Sequence, residues 1–199
     1  MPDDKRGREK QARNANRRQR EHAIAAELEQ MDDPEPAIDE GELAFFETAL
    51  EELEFPATGT EIVSSLGHRE LDVGDESYSV SELVPTTDSE TFEDPTNVRV
   101  QVQRPTVAKA IKRIVEATDA VPDTTLSGSK RTAYEKTFRK LLEIDAVYED
   151  GGMNVVTDWV ISELQENGTL PGSREIRRRA GKYCRDTGYE IRNDEWLDI

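Results

Sequence analysis

The sequence predicts a mainly helical α+β protein, in which a helix-and-β-hairpin domain is followed by a helical domain ending in a helix-turn-helix-like pair. Three observations predict it. Apolar residues recur at helical spacing in several segments between residues 40 and 187. Strand-like alternation flanks a turn signal at Gly74-Asp75. Connectors rich in Pro, Asp, Ser and Gly, "DDPEPAID" at 32–39 and "AVPDTTLSGS" at 120–129, divide the chain into residues 1–39, 40–121 and 122–199.

Residues 1–39 read as a basic arm and an acidic, Pro-containing linker. The arm has little apolar content before Ile24, after which Ile24, Leu28 and Met31 form one helical stripe, so a helix is expected only from about residue 20. In the 40–121 domain, "EGELAFFETALEELEF" places Leu43, Phe46, Leu50 and Leu53 on one helical face, ended by Pro56. "TGTEIVSSLG" predicts a second helix with Thr60 as cap, Ile62, Val63 and Leu66 inward, and Gly67 as stop. Leu71 and Val73 alternate before Gly74-Asp75, and Tyr78 and Val80 alternate after it, which gives the hairpin. "NVRVQVQRP" alternates Val98, Val100 and Val102 with polar residues and predicts a third strand. Pro105 then suits the first turn of a helix that buries Val107, Ile111, Ile114 and Val115.

The 122–199 domain begins with a helix carrying Tyr134, Phe138, Leu141 and Leu142 on one face. A turn at "YEDGGMN" leads to a helix through Val156, Trp159, Val160 and Leu164, which Asn167-Gly168 stops. The last predicted helix runs from Ser173, its expected cap, to Thr187, with Gly188 as stop. Its stripe of Ile176, Ala180, Tyr183, Cys184 and Thr187 is the buried face. Arg174, Arg177, Arg178, Gly181 and Arg185 form a separate face, almost purely guanidinium, with a glycine that would let a partner's backbone come close.

Charge gives the functional lead. The 199 residues hold 43 acids against 26 bases, a net charge of −17, with 6% aromatics. Only 8 of the bases are lysine. Dense carboxylates, scarce lysine and few aromatics are the composition of cytoplasmic proteins of salt-loving archaea, because an acidic surface keeps a protein hydrated when salt competes for water. An acidic, partly disordered protein of ordinary salt is the other source of such a composition. The regular apolar periodicity favours the halophile. The charge falls in blocks: residues 5–20 carry eight bases and one acid, residues 21–98 carry 23 acids and one base, Arg69, and residues 99–199 carry 17 of each. At about 1 M salt the screening length is roughly 3 Å, so contact pairs rather than long-range attraction must carry recognition.

Catalytic chemistry is poorly represented. Cys184 is the one cysteine, so no internal disulfide and no Cys-based metal site are expected, and it lies on an apolar stripe that predicts a buried thiol. The histidines are His22 in the arm and His68 in a turn. Neither the phosphate-loop spacing nor a G-x-G-x-x-G after a strand occurs. Among 43 acids, chance carboxylate pairs are certain and none marks a general acid or base. No cofactor, metal, catalytic residue or membrane segment is expected, and the opening lacks the apolar core of a signal peptide.

The expectation is therefore a non-enzymatic, cytoplasmic DNA- or RNA-associated protein, regulatory or ribosome-associated. Arg174, Arg177, Arg178 and Arg185 would contact phosphate, aided by Arg13, Arg17, Arg18 and Arg20 of the arm. Both basic elements have little aromatic interleaving, so stacking on single-stranded bases is not indicated. The alternative is a protein–protein adaptor that docks a partner through its acidic domain or arginine helix. A third possibility is an arginine helix that neutralises the protein's own acids, with Glu190, Asp194 and Glu195 nearby in sequence.

"ELQENGTLPGSREI" is weakly similar to the start of bacterial winged-helix regulator domains over about fourteen residues, without the rest of that pattern. "LEFPATGTEIVSSLGHRELDVGDESYSVSELVP", "VQRPTVAKAIKRIVEA" and "PGSREIRRRAGKYCRDTGYEIRNDEWL" together resemble a haloarchaeal family of uncharacterised acidic proteins across most of the chain. "FPATGTEI" is loosely similar to a small bacterial helical domain of unknown function. The haloarchaeal resemblance implies the halophilic source, and none of the resemblances transfers a functional residue.

Overall fold

Capping signals and apolar spacing account for most of the elements. The computed structural model describes residues 38–73, 76–145 and 151–188. In chain order the elements are α1 (Glu40–Leu50), β1 (Ala57–Thr58), α2 (Gly59–Leu66), β2 (Glu70–Val73), β3 (Glu76–Ser79), α3 (Val80–Leu83), β4 (Thr91–Phe92), α4 (Pro95–Val102), α5 (Pro105–Thr118), α6 (Gly128–Asp145), α7 (Gly151–Asn167) and α8 (Ser173–Asp186). The mainly helical α+β class is borne out: β2 and β3 form an antiparallel hairpin, β1 pairs with β4, and the other elements among the described residues are helices. The basic arm with Arg13, Arg17, Arg18 and Arg20, the stripe of Ile24, Leu28 and Met31, the hairpin turn at Gly74-Asp75, and Glu190, Asp194 and Glu195 lie outside the described residues.

Two local expectations need correction. Residues 95–102 form a helix, α4, and not a third strand. Asp94 accepts a hydrogen bond from the Asn97 backbone N–H at 2.9 Å and Pro95 occupies the first turn, a start signal that outweighs the alternation of valines. Val98 and Val102, four residues apart, are then buried, and Val100 is 60% exposed. The second correction concerns α1, which stops at Leu50 instead of running to Pro56. Glu51, Glu52 and Glu54 crowd the negative end of the helix dipole there.

Caps shift by a residue or two elsewhere. Thr58, not Thr60, caps α2, in a reciprocal box with Glu61. The hairpin forms, with Leu71 opposite Tyr78, but Val80, expected in its second strand, opens α3. Helix α7 begins at Gly151, inside the stretch expected to be a turn, and so buries Met153 as well.

The apolar faces assemble into two clusters. One gathers Leu43, Phe46 and Leu50 of α1 with Ile62, Leu71, Val80, Leu83, Phe92, Val98 and Val102. The other gathers Tyr134, Phe138 and Leu141 of α6 with Val156, Val160 and Leu164 of α7 and Ile176, Ala180 and Cys184 of α8. Helix α5 serves both: Ala108 faces the first, while Val107, Ile111, Ile114 and Val115 build the second. Both clusters lie within the compact unit Glu35–Ile199. A half-buried polar link also crosses the junction. Arg131 of α6 pairs with Glu90 and donates to Gln101 Oε1 of α4 at 2.7 Å, and Gln101 Nε2 donates to the Leu83 carbonyl at 3.2 Å.

Candidate nucleic-acid interface

Helix α8 follows directly from the end of α7. Gly168 adopts φ +68°, a left-handed conformation that glycine takes without strain, and so ends α7 as expected. Residues 168–172 then turn the chain so that α8 packs against α6 and α7. The expected cap Ser173 is the first helical residue instead, and Gly172 is the cap. The Gly172 N–H donates to Glu175 Oε2 at 2.6 Å, so the acid at the third position holds the start of the helix.

The turn is fastened from outside by side chains the sequence did not single out for this task. Thr124 Oγ1 donates to the Gly168 carbonyl at 3.2 Å, Lys130 Nζ to Leu170 at 2.8 Å, and the Tyr134 hydroxyl to Pro171 at 2.8 Å. Tyr134 has no exposed surface, and burial, with the nearby Glu175 carboxylate, pushes its hydroxyl well above the ordinary tyrosine range. It therefore stays a neutral donor. Three carbonyls that a turn would leave to water are satisfied by protein groups, which fixes where α8 begins.

Burial then sorts the residues of α8. Ile176, Ala180 and Cys184 have no exposed surface and Tyr183 is half-buried, but Thr187, expected on the buried stripe, is exposed because it lies past the last helical residue, Asp186. Arg174, Arg178, Lys182 and Arg185 are exposed. At about 100° per residue these four fall within an arc of roughly 80° opposite the buried stripe. Among the described residues, their side chains carry no hydrogen bond or ion pair. The exposed acids Glu175 and Asp186 border this arc on one side.

The face expected from the sequence was centred about 50° away around the helix. Gly181 is buried within the chain and offers no backbone to a partner. Arg177 is half-buried, and its Nε donates to the Ser173 carbonyl at 3.1 Å. Arg179 is also half-buried, its Nε shielded from solvent without a hydrogen-bond partner. Lys182, on the far side of Arg178 from Arg177 and Gly181, joins the exposed face instead. Sequence spacing gives the order of side chains around a helix, but only the positions of α6 and α7 decide which sector faces water. The arginine face does not pack on residues 40–98 among the described residues, where α8 rests on α6 and α7.

Groups with the chemistry of nucleophiles, bases or metal ligands are scattered among the described residues. His68 is exposed, Cys184 is fully buried, and the described residues contain no group of three potential metal-ligating side chains. An open cleft of about 60 Å³ lies between α4, α5 and α6, lined by Val100, Gln101, Arg104, Val107, Ala108, Ile111, Glu135 and Arg139. That is several-fold below the roughly 300 Å³ at which pockets begin to enclose small-molecule ligands. Burial raises the Glu135 carboxyl above its ordinary value, opposed by Arg131, Arg139 and Arg104. Among the described residues, no helix is long and apolar enough to cross a membrane.

Residues 41–114, from α1 almost to the end of α5, match a family of unknown function (DUF5789). Residues 1–54 match the family described as Halobacterial acidic protein. The resemblance to uncharacterised haloarchaeal acidic proteins stands. No curated protein and no solved structure matches the chain. Helix α8 lies beyond both matched segments, so the cationic arc is read from its own geometry.

Proposed function

We propose that this chain is a non-enzymatic nucleic-acid-associated protein of the haloarchaeal cytoplasm that contacts phosphates through α8. One observation carries the reading: in a chain of net charge −17, Arg174, Arg178, Lys182 and Arg185 are exposed on one arc and unpaired among the described residues. Arginine forks and a lysine point charge suit phosphate oxygens, and an anionic partner restores the pairing that the fold does not supply. The clamped turn before α8 presents the arc already ordered, which lowers the cost of binding.

The test is the nucleic acid that co-purifies at matched high salt, read by ultraviolet absorbance with and without nuclease treatment. The Arg174→Glu/Arg178→Glu double variant should lose it. Retention equal to that of wild type sinks the phosphate-contacting helix.

A second reading, a protein–protein adaptor, draws on Phe45. This ring is 70% exposed on α1, in the acid-rich part of the chain, with the Arg69 guanidinium 4.4 Å from its centroid. A partner retained after nuclease treatment and lost in Phe45→Ser, with α8 intact, favours the adaptor.

A further inference from the structure

We infer that the α8 arc takes double-helical DNA by its backbone, lying along the major groove with its four cations on phosphates, an inference that rests on the phosphate-contacting role proposed above. Four features of the arc narrow the class of nucleic acid.

The first is shape. Arg174, Arg178, Lys182 and Arg185 lie on successive turns of one straight helix and span about 16 Å along its axis. A helix of about 10–12 Å diameter matches the roughly 12 Å major groove of B-form DNA. The deep, narrow major groove of A-form RNA does not admit one.

The second is the lack of a stacking platform. Single strands are held by aromatic faces beside cations. The only aromatic of α8, Tyr183, is half-buried against the core, as is Trp159 of the neighbouring α7. Phe45, the most exposed large apolar side chain described, belongs to α1.

The third is the lack of base-reading partners. The arc holds no amide side chain. The exposed Thr187 hydroxyl at the end of α8 already donates to the Tyr183 carbonyl at 2.7 Å. Arginine and lysine can read guanine edges, but the arc has no amide or apolar group to read the other bases, which favours contact with the backbone.

The fourth is the boundary. Glu175 and Asp186 border the arc on one side, where their carboxylates repel phosphate, and half-buried Arg177 and buried Gly181 lie on the other, so the contact involves about four charges.

That count makes the inference quantitative. Each cation placed on a B-DNA phosphate contributes about −0.9 to the slope of log affinity against log salt, so four give about −3.6. The measurement is fluorescence anisotropy of three labelled probes of one length: a mixed-sequence DNA duplex, an RNA duplex and an oligo(dT) strand. It is run over the KCl range in which far-ultraviolet circular dichroism shows the full chain folded. The DNA duplex should bind tightest, with that slope. Arg178→Ala and Lys182→Ala should each reduce it in magnitude by about one. An RNA duplex or oligo(dT) bound as tightly as DNA, with the same dependence on Arg178 and Lys182, overturns duplex DNA as the ligand and leaves the phosphate contact standing. DNA affinity unmoved by either substitution overturns the phosphate contact itself.

Discussion

Cations between residues 69 and 131 are tied into the fold, whereas those on the outer arc of α8 are not. Arg69 lies over the Phe45 ring, Arg99 pairs with Glu47 at 3.2 Å, and Lys109 pairs with Glu82 at 3.4 Å. Lys112 pairs with Glu116, Arg113 with Asp158 and Arg131 with Glu90. Surface pairs of this kind contribute at most about 1 kcal/mol each, but they leave no cation on offer. Arg174, Arg178, Lys182 and Arg185 are as close in sequence as any of these and engage nothing described. In an acidic chain, a base is cheap to neutralise. Four left unpaired among the described residues, on a capped and clamped helix, are the contrast on which the proposed phosphate contact rests.

The largest effects should come from the two apolar clusters that underlie these surfaces. Phe46→Ala in the first cluster or Phe138→Ala in the second should each cost about 3–5 kcal/mol, since both rings have no exposed surface. Because α5 and the Glu90–Arg131–Gln101 link join the clusters, Phe46→Ala should also lower the unfolding midpoint reported by Trp159 of α7. The background Trp196→Phe isolates that signal. A Trp159 midpoint that ignores Phe46→Ala would show two halves that melt separately.

A smaller effect is expected at the clamp. Tyr134→Phe removes the donor to the Pro171 carbonyl and leaves a buried acceptor unpaired, a loss of about 1–2 kcal/mol in denaturant unfolding at fixed salt. Duplex binding should weaken with it, because the start of α8 is then less firmly placed. Lys130→Met probes the neighbouring Leu170 carbonyl in the same way and should cost less, since that bond is only partly buried.

Smaller again, and dependent on pH, is Glu135. Burial raises its carboxyl above the ordinary 4.5, against the opposing pull of Arg131, Arg139 and Arg104. Its contribution to stability is thus fully present below that ordinary value and is lost as pH rises through the raised one. Glu135→Gln should gain on wild type above this window, and the gain should vanish on acidification. A gain that grows toward low pH would reverse the assignment.

The smallest effects belong to the arc. Arg174→Ala and Arg178→Ala should change unfolding free energy by no more than about 0.5 kcal/mol, because neither side chain has a described partner to lose. A larger loss would mean that these arginines serve the fold after all.

Most of the helices were legible in the sequence because their signals are local. Pro105, the 3.6-residue spacing of Val107, Ile111 and Ile114, and Gly168 at the end of α7 each act within one or two turns. The valines of α4 misled because Val98, Val100 and Val102 satisfy a two-residue period, while Asp94-Pro95 just before them starts a helix. The cationic face was legible in composition and not in direction. Lys182 reads as an ordinary lysine until α6 and α7 take up the sector containing Gly181. The clamp could not be read at all: Lys130 and Tyr134 meet carbonyls 40 and 37 residues away, and no local pattern records that distance.

The most direct measurement compares the two kinds of cation in one assay. Duplex DNA affinity is measured at fixed KCl for wild type, for Arg178→Glu/Lys182→Glu on the arc, and for Lys109→Glu, whose lysine is already paired with Glu82. The arc variant should lose about a hundredfold, near tenfold for each charge-assisted contact removed. Lys109→Glu should stay within about twofold, as befits an exposed base already paired in the fold. Equal losses in the two variants, or no loss in the arc variant, would contradict the assignment of α8 as the phosphate-binding surface.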